Sequence, residues 1–191
     1  DYEVASKLAY ALTNTMPDEE LFAAAATGQL QDPTSVATQA ARLLDSPLGS
    51  SGLANFQLQV FRLGTYDGIT RDPEIFPDFT PDTPAAMRLE VLSFLDWIFK
   101  EGLGIKDFYT SPVGFVTAPL APLYGIEGTF SADTPTKVDL DPTLRSGLLT
   151  QPALLTLLSH TDQSAPILRG VFVREEVLCQ PPPAPPPNVN Q

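Results

Sequence analysis

Thr83-Pro84-Ala85-Ala86-Met87-Arg88-Leu89-Glu90-Val91-Leu92-Ser93-Phe94-Leu95-Asp96-Trp97-Ile98-Phe99-Lys100 is the stretch on which the fold turns. Thr83-Pro84 sets a hydroxyl and a ring-fixed φ at a helix start, where the N–H that proline lacks is not needed. Met87, Val91, Phe94, Leu95 and Ile98 then recur at helical spacing, and Gly102 ends the helix. A methionine and aromatic stripe of this kind reads as core in preference to a cofactor box. Trp97 falls between the core positions and is expected at the edge of that core.

Toward the N-terminus the pattern is one of consecutive short helices. Val4, Leu8 and Leu12 repeat at helical spacing on the first. Thr15-Met16-Pro17-Asp18 reads as the capping signal of the second: a hydroxyl, an early proline and an acidic first turn. That helix runs through Leu21, Phe22 and the alanines from Ala23 to Ala26; Gly28 supplies a left-handed stop, with Leu30 placed to pack back on it. Asp32-Pro33 opens a third helix, with Val36, Ala40 and Leu43 inward, closing before Pro47. A fourth is expected over Leu53–Leu63, with Phe56 and Val60 inward and Gly64 ending it. Between Gly64 and Pro84 an ordered but irregular connector is expected, anchored to the core by Ile75, Phe76 and Phe79.

Toward the C-terminus, Pro112, Pro119 and Pro122 limit any helix, and the alternation of Val138 and Leu140 with Lys137 and Asp139 predicts one brief strand. Two further helices are expected, over 151–159 and about 166–178, the latter capped by Ser164-Ala165-Pro166. The run Pro181-Pro182-Pro183-Ala184-Pro185-Pro186-Pro187 favours polyproline II geometry and the role of a semi-rigid spacer or ligand. The expected fold is thus mainly α: an irregular multi-helix bundle with long Pro-rich loops and at most one short strand pair.

Composition removes several functions. With 11 Lys+Arg against 23 Asp+Glu, a net charge of -12 repels phosphate backbones and anionic lipid, so neither nucleic acid nor a membrane surface is an expected partner. The longest apolar run, Leu148–Leu158, is broken by Thr150, Gln151, Pro152 and Thr156, too short for the roughly 20 residues of a membrane span. Asp1-Tyr2-Glu3 carries no leader, as expected of a processed fragment. One histidine, His160, and one cysteine, Cys179, rule out His-Glu-x-x-His, Cys-x-x-Cys-His and an internal disulfide framework.

For His160 the ordinary reading is a hydrogen bond at a helix C-terminus, where partial negative charge suits it. A haem or metal ligand is the speculative alternative. A catalytic base beside Ser159, Asp162 or Ser164 has the least support, since no Gly-x-Ser-x-Gly elbow raises a serine. The acids Asp67, Asp72, Glu74, Asp78 and Asp82 match no EF-hand spacing and read as turn and cap residues. Glu19-Glu20 and Glu175-Glu176 diverge around a helix axis and read as solvated faces. Arg145 and Arg169 each stand near a glycine; a structural or interface role, tying loops through carbonyls or a carboxylate, is expected ahead of anion binding. Cys179 is expected at a core edge, or in a disulfide to a segment outside this chain.

The motifs Asp1-Tyr2-Glu3-Val4-Ala5-Ser6-Lys7-Leu8-Ala9-Tyr10, Met16-Pro17-Asp18-Glu19-Glu20-Leu21, Gly28-Gln29-Leu30 and Leu123-Tyr124-Gly125-Ile126 resemble the bacterial domain of unknown function 1592. Arg145-Ser146-Gly147-Leu148-Leu149-Thr150-Gln151, Pro166-Ile167-Leu168-Arg169-Gly170 and the proline tail resemble the domain of unknown function 1588. The resemblance implies a helical module over 1–126, a second over 127–180 packed on the first, and a Pro-rich linker over 181–191. It also implies a periplasmic or secreted location. No cofactor is expected in this chain, and a c-type haem is expected in a segment downstream of it. The leading expectation is a non-catalytic scaffold or interaction module of a larger cytochrome c-type protein, its partners the neighbouring domains of the same polypeptide. The alternative is part of an enzyme or binder acting on extracellular polysaccharide or another polymer, with Tyr66, Trp97, Tyr109 and Tyr124 as the rings available to line a cleft.

Overall fold

The computed structural model describes residues 1–60, 63 and 68–183. Helices dominate them, with one two-stranded antiparallel sheet, so the fold is mainly α. No helix among the described residues is long and apolar enough to cross a membrane. Two compact units divide the chain between Gln59 and Val60.

The first unit holds α1 (Tyr2–Thr13), α2 (Glu19–Ala26), α3 (Pro33–Leu44) and α4 (Pro47–Val60). Its core is built on small residues: Ala5, Ala9, Ala24 and Ala25 lie buried with Leu21, Leu30 and Leu43. Val4, Leu8 and Leu12, the residues that mark the helix in sequence, pack against this core from its flank. The cap of α2 is Asp18, whose carboxylate accepts from the Leu21 amide at 2.9 Å. That corrects the expected hydroxyl cap and places Pro17 before the helix. The same carboxylate holds Arg42 of α3 through two bonds of 2.7 and 2.9 Å, which draws it well below the usual carboxylate range. Gly28 stops α2 in the left-handed region, with Leu30 buried beyond it, and Asp32 caps α3 through the Ser35 amide.

Helix α4 starts six residues earlier than expected, at Pro47, with the Ser46 hydroxyl accepting from the Gly49 amide at 3.1 Å. Gly49 and Gly52 lie inside it as close-packing positions. A Cβ on Gly49 would meet the Leu43 carbonyl oxygen at 2.3 Å, and one on Gly52 the Leu12 carbonyl oxygen at 2.4 Å. Phe56 and Val60, expected inward, are 62% and 41% exposed. Leu58 is the buried residue, about 200° around the axis from Phe56. The expected stop, Gly64, lies outside the described residues.

The second unit is organised on α5 (Thr83–Lys100), the helix quoted above, whose stripe of Met87, Val91, Phe94, Leu95 and Ile98 is buried. It is followed by α6 (Ile105–Thr110), β1 (Val113–Val116), α7 (Ala121–Tyr124), β2 (Thr136–Asp139), α8 (Pro152–Leu157) and α9 (Pro166–Phe172). The expected strand around Val138 is β2, and its partner β1 pairs Val113 with Asp139 and Val116 with Thr136. Both β1 and α8 pack on α5. Trp97 sits at the core edge between Phe94 and Phe115, with the Lys137 ammonium 4.4 Å above its ring. Helix α9 gives way to a π-helical turn over Val173–Val177. Its N-cap is Ala165 and makes no side-chain cap bond; Ser164 instead pairs with Ser159 in an isolated bridge. Cys179 is free and exposed, so it does not lie at a core edge. The part of the Pro-rich linker from residue 184 onward lies outside the described residues.

Candidate anion-binding cavity

The connector that precedes α5 is organised by Asp72. Its carboxylate accepts from the Glu74 amide at 2.9 Å, its carbonyl accepts from Phe76, and its own amide donates to the Thr161 carbonyl at 3.1 Å. These bonds set the segment over the turn that joins α8 to α9. Ile75 and Phe76, expected as core anchors, are 52% and 38% exposed. They form, with Phe79, Met87, Leu123 and Leu155, the apolar walls of a cavity of about 340 Å³.

Three of the chain's seven arginines line this cavity: Arg71, Arg145 and Arg169. Arg71 donates to the Ser159 hydroxyl at 2.7 Å and to the carbonyls of Thr70 and Thr156, and its guanidinium lies 5.8 Å from the Phe79 ring centre. Arg145 donates to the Thr150 carbonyl at 2.9 Å and covers the Tyr124 ring at 4.9 Å. Arg169 has its Nε buried and without a hydrogen-bond partner among the described residues. Among those residues none of the three is ion-paired to a carboxylate, and Asp78 is the only acid in the lining. Burial therefore lowers the Arg71 pKa below the usual guanidinium range. A guanidinium satisfied by neutral carbonyls keeps its positive charge uncompensated, and its remaining N–H donors stay available to an anion.

Arg145 links the cavity to a buried carboxyl. The Tyr124 hydroxyl, under the Arg145 guanidinium, donates to Glu90 Oε1 at 2.5 Å; Glu90 Oε2 is buried with no hydrogen-bond partner among the described residues. Desolvation pushes the Glu90 carboxyl up to about 8, against the smaller opposing pulls of the Tyr124 hydroxyl, the Phe115 amide and the Arg145 charge. Burial, followed by the Glu90 charge and hydrogen bond, raises the Tyr124 phenol as well. At neutral pH the pair is a protonated acid beside a neutral phenol. Sequence reading missed Glu90, although position 90 lies three residues after Met87 and four before Phe94, on the buried face. Arg71 was also missed.

Of the candidate site residues singled out in sequence, the structure brings Arg145 and Arg169 into one lining, together with Asp78, Ser159 and Ser164. His160 is exposed in the bridge turn after α8; its backbone amide donates to the Gln163 carbonyl at 2.9 Å, and it is outside the cavity lining. Three of the four rings proposed for a polymer cleft are engaged by neighbours: Trp97 as above, Tyr109 edge-on to Phe108 at 4.8 Å, and Tyr124 between Arg145 and Glu90. Tyr66 and Asp67 lie outside the described residues. Among those residues no three His, Cys, Asp or Glu side chains converge as a metal site would need. Glu20 belongs to the Asp18–Arg42 cluster, 3.1 Å from the Arg42 Nε.

Two family models match the chain. The one described as a protein of unknown function (DUF1592), short name PSD4, matches residues 1–126. The one described as a protein of unknown function (DUF1588), short name PSCyt3, matches residues 145–191. Both names belong to cytochrome c-associated families. No curated protein and no solved structure matches the chain. The cavity draws on both matched spans: Arg71, Phe76 and Met87 come from the first, Arg145, Leu155 and Arg169 from the second.

Proposed function

The chain belongs to the family described as protein of unknown function (DUF1592), and from that membership we propose that it serves as a non-catalytic binding and positioning module of a larger, extracytoplasmic cytochrome c-type protein. One observation carries the reading: three guanidiniums from two family spans line a single cavity, two of them held by carbonyls, a hydroxyl and ring faces, and none ion-paired to a carboxylate among the described residues. Arginine stays protonated across the physiological range, so such a lining binds and orients an anion without exchanging protons with it. The haem of the proposed assembly belongs to a neighbouring segment in the periplasm or outside the cell. The single His160 and single Cys179 offer no Cys-x-x-Cys-His attachment in this chain. Its partners in this proposal are the adjoining domains of the same polypeptide.

The test is thermal melting of the 191-residue chain in phosphate and in chloride at equal ionic strength, beside the variant Arg169→Gln. Phosphate is expected to raise the melting temperature of the wild type and to lose most of that effect in the variant. Equal stabilisation of both proteins would place the anion elsewhere and overturn the reading, as would turnover of a polysaccharide by the chain alone.

A further inference from the structure

We propose that this cavity is a site for a small organic carboxylate carried on an aromatic or alicyclic body, its carboxylate held by Arg71 and Arg169 and its ring set against Phe76, Phe79 and Met87. The inference rests on the binding-module reading and names its ligand class. Two features of the lining point the same way. The guanidinium fork matches a planar carboxylate in two parallel hydrogen bonds, and the Arg169 Nε is a buried donor with no partner among the described residues. A buried N–H left unpaired is destabilising, and a ligand oxygen at that point relieves it. Arg71 is a partly desolvated cation with no ion-paired carboxylate among the described residues, so within them its charge is unmatched until an anion enters.

The walls decide between kinds of anion. A hydrated inorganic ion would satisfy the arginines but leave the partly exposed faces of Phe76 and Phe79 against water. An apolar ring covers those faces and gains the burial. At about 340 Å³ the cavity is at the small end of ligand sites, which suits a single ring with a short acid arm over a polymer segment. Among the described residues, three arginines against Asp78 leave the lining with an excess of positive charge, enough for one or two carboxylates. Arg71 belongs to one matched family span and Arg169 to the other, so the ligand would bridge them.

The experiment is calorimetric titration of the 191-residue chain with three probes: 3-phenylpropionate, its uncharged amide, and inorganic phosphate. Phenylpropionate is expected to bind at least about tenfold more tightly than either of the others, over the amide by the scale of one charge-assisted hydrogen bond and over phosphate by the burial of its ring. Arg169→Gln should weaken phenylpropionate and phosphate together, and Phe76→Ala should weaken phenylpropionate and leave phosphate unchanged. Arg169 makes no hydrogen bond through its Nε among the described residues and Phe76 is partly exposed, so both variants are expected to fold, which their unliganded melting curves check. Phosphate binding as tightly as phenylpropionate, with the same dependence on Arg169, would overturn the ligand class and leave the binding module standing. Binding of no anion would overturn both. Phenylpropionate binding that ignores both substitutions would place the ligand outside this cavity and overturn the proposal.

Discussion

A fully buried carboxyl such as that of Glu90 has lost the water that stabilises its charge, and one hydroxyl from Tyr124 does not replace it. Glu90 therefore folds with its proton on. The unfolded carboxyl titrates near 4.5 and the folded one at about 8. Between those values the folded state holds a proton that the unfolded state has released, so stability falls as pH rises from about 4.5 to about 8 and levels off above. Glu90→Gln keeps the shape and the acceptor for Tyr124 but carries no titration. Its stability relative to the wild type should increase across that window, on the order of a few kcal/mol in all. Denaturant unfolding of both proteins at pH 5.5 and 8.5 measures the difference, and an unchanged difference would show that Glu90 is charged throughout. Position 90 shares a face with Met87 and Phe94, a signal in the spacing that the sequence reading passed over. Arg145 and Arg169 were legible through their glycine neighbours. Arg71 was not: its partners Thr156 and Ser159 stand 85 and 88 residues away, and nothing local marks it.

Elements were legible where a cap and a stripe agreed. In α3, Asp32-Pro33 and the Val36–Leu43 face give the same start and the same inward side; in α5 the buried stripe over four turns was enough, although the N-cap is Asp82, without a side-chain cap bond, and not the expected Thr83. Helix α4 fails that test because Gly49 and Gly52 look like breakers, and their use depends on contacts with other elements. Gly52 lies against the end of α1, where a Cβ would stand 2.4 Å from the Leu12 carbonyl oxygen and 3.0 Å from the Thr13 Cα. Gly52→Ala sets two effects in opposition. Alanine favours the helix by about 1 kcal/mol over glycine. Forcing a methyl group against fixed backbone costs about 1–3 kcal/mol through displaced helices. The contact is with backbone, which yields less than a side-chain tip, so the second effect should win. A fall in melting temperature for Gly52→Ala is expected, set against Ser51→Ala on the exposed side of the same helix, which should not fall. A stabilised Gly52→Ala variant would mean that α1 and α4 are not in this contact.

At the scale of the whole molecule, the motif runs that suggest modules and the units that fold compactly are different partitions. Motifs follow the order of the chain, whereas compactness follows which apolar faces meet, and α8 meets α5 across more than fifty residues of sequence. The cavity exists only through that meeting, so sequence reading found two of its arginines without finding a site. Charge is where the whole molecule acts on the site directly. A chain with 23 acidic and 11 basic residues repels an approaching monoanion at long range, yet three of those basic groups attract it at contact. Salt acts unequally on the two effects. Its screening length is about 10 Å at 0.1 M, so the distant repulsion is weakened strongly and the partly buried contact much less. The association rate of phenylpropionate should therefore rise as ionic strength goes from about 0.02 to 0.2 M, the reverse of a ligand steered in by attraction. Chloride competing for the arginines would lower the rate, so a rise cannot come from competition. Stopped-flow binding at a series of salt concentrations reads the slope. A steep fall that persists when chloride is replaced by an anion too bulky for the cavity would mean that the field at its mouth is positive, and that the acidic groups lie too far away to oppose it.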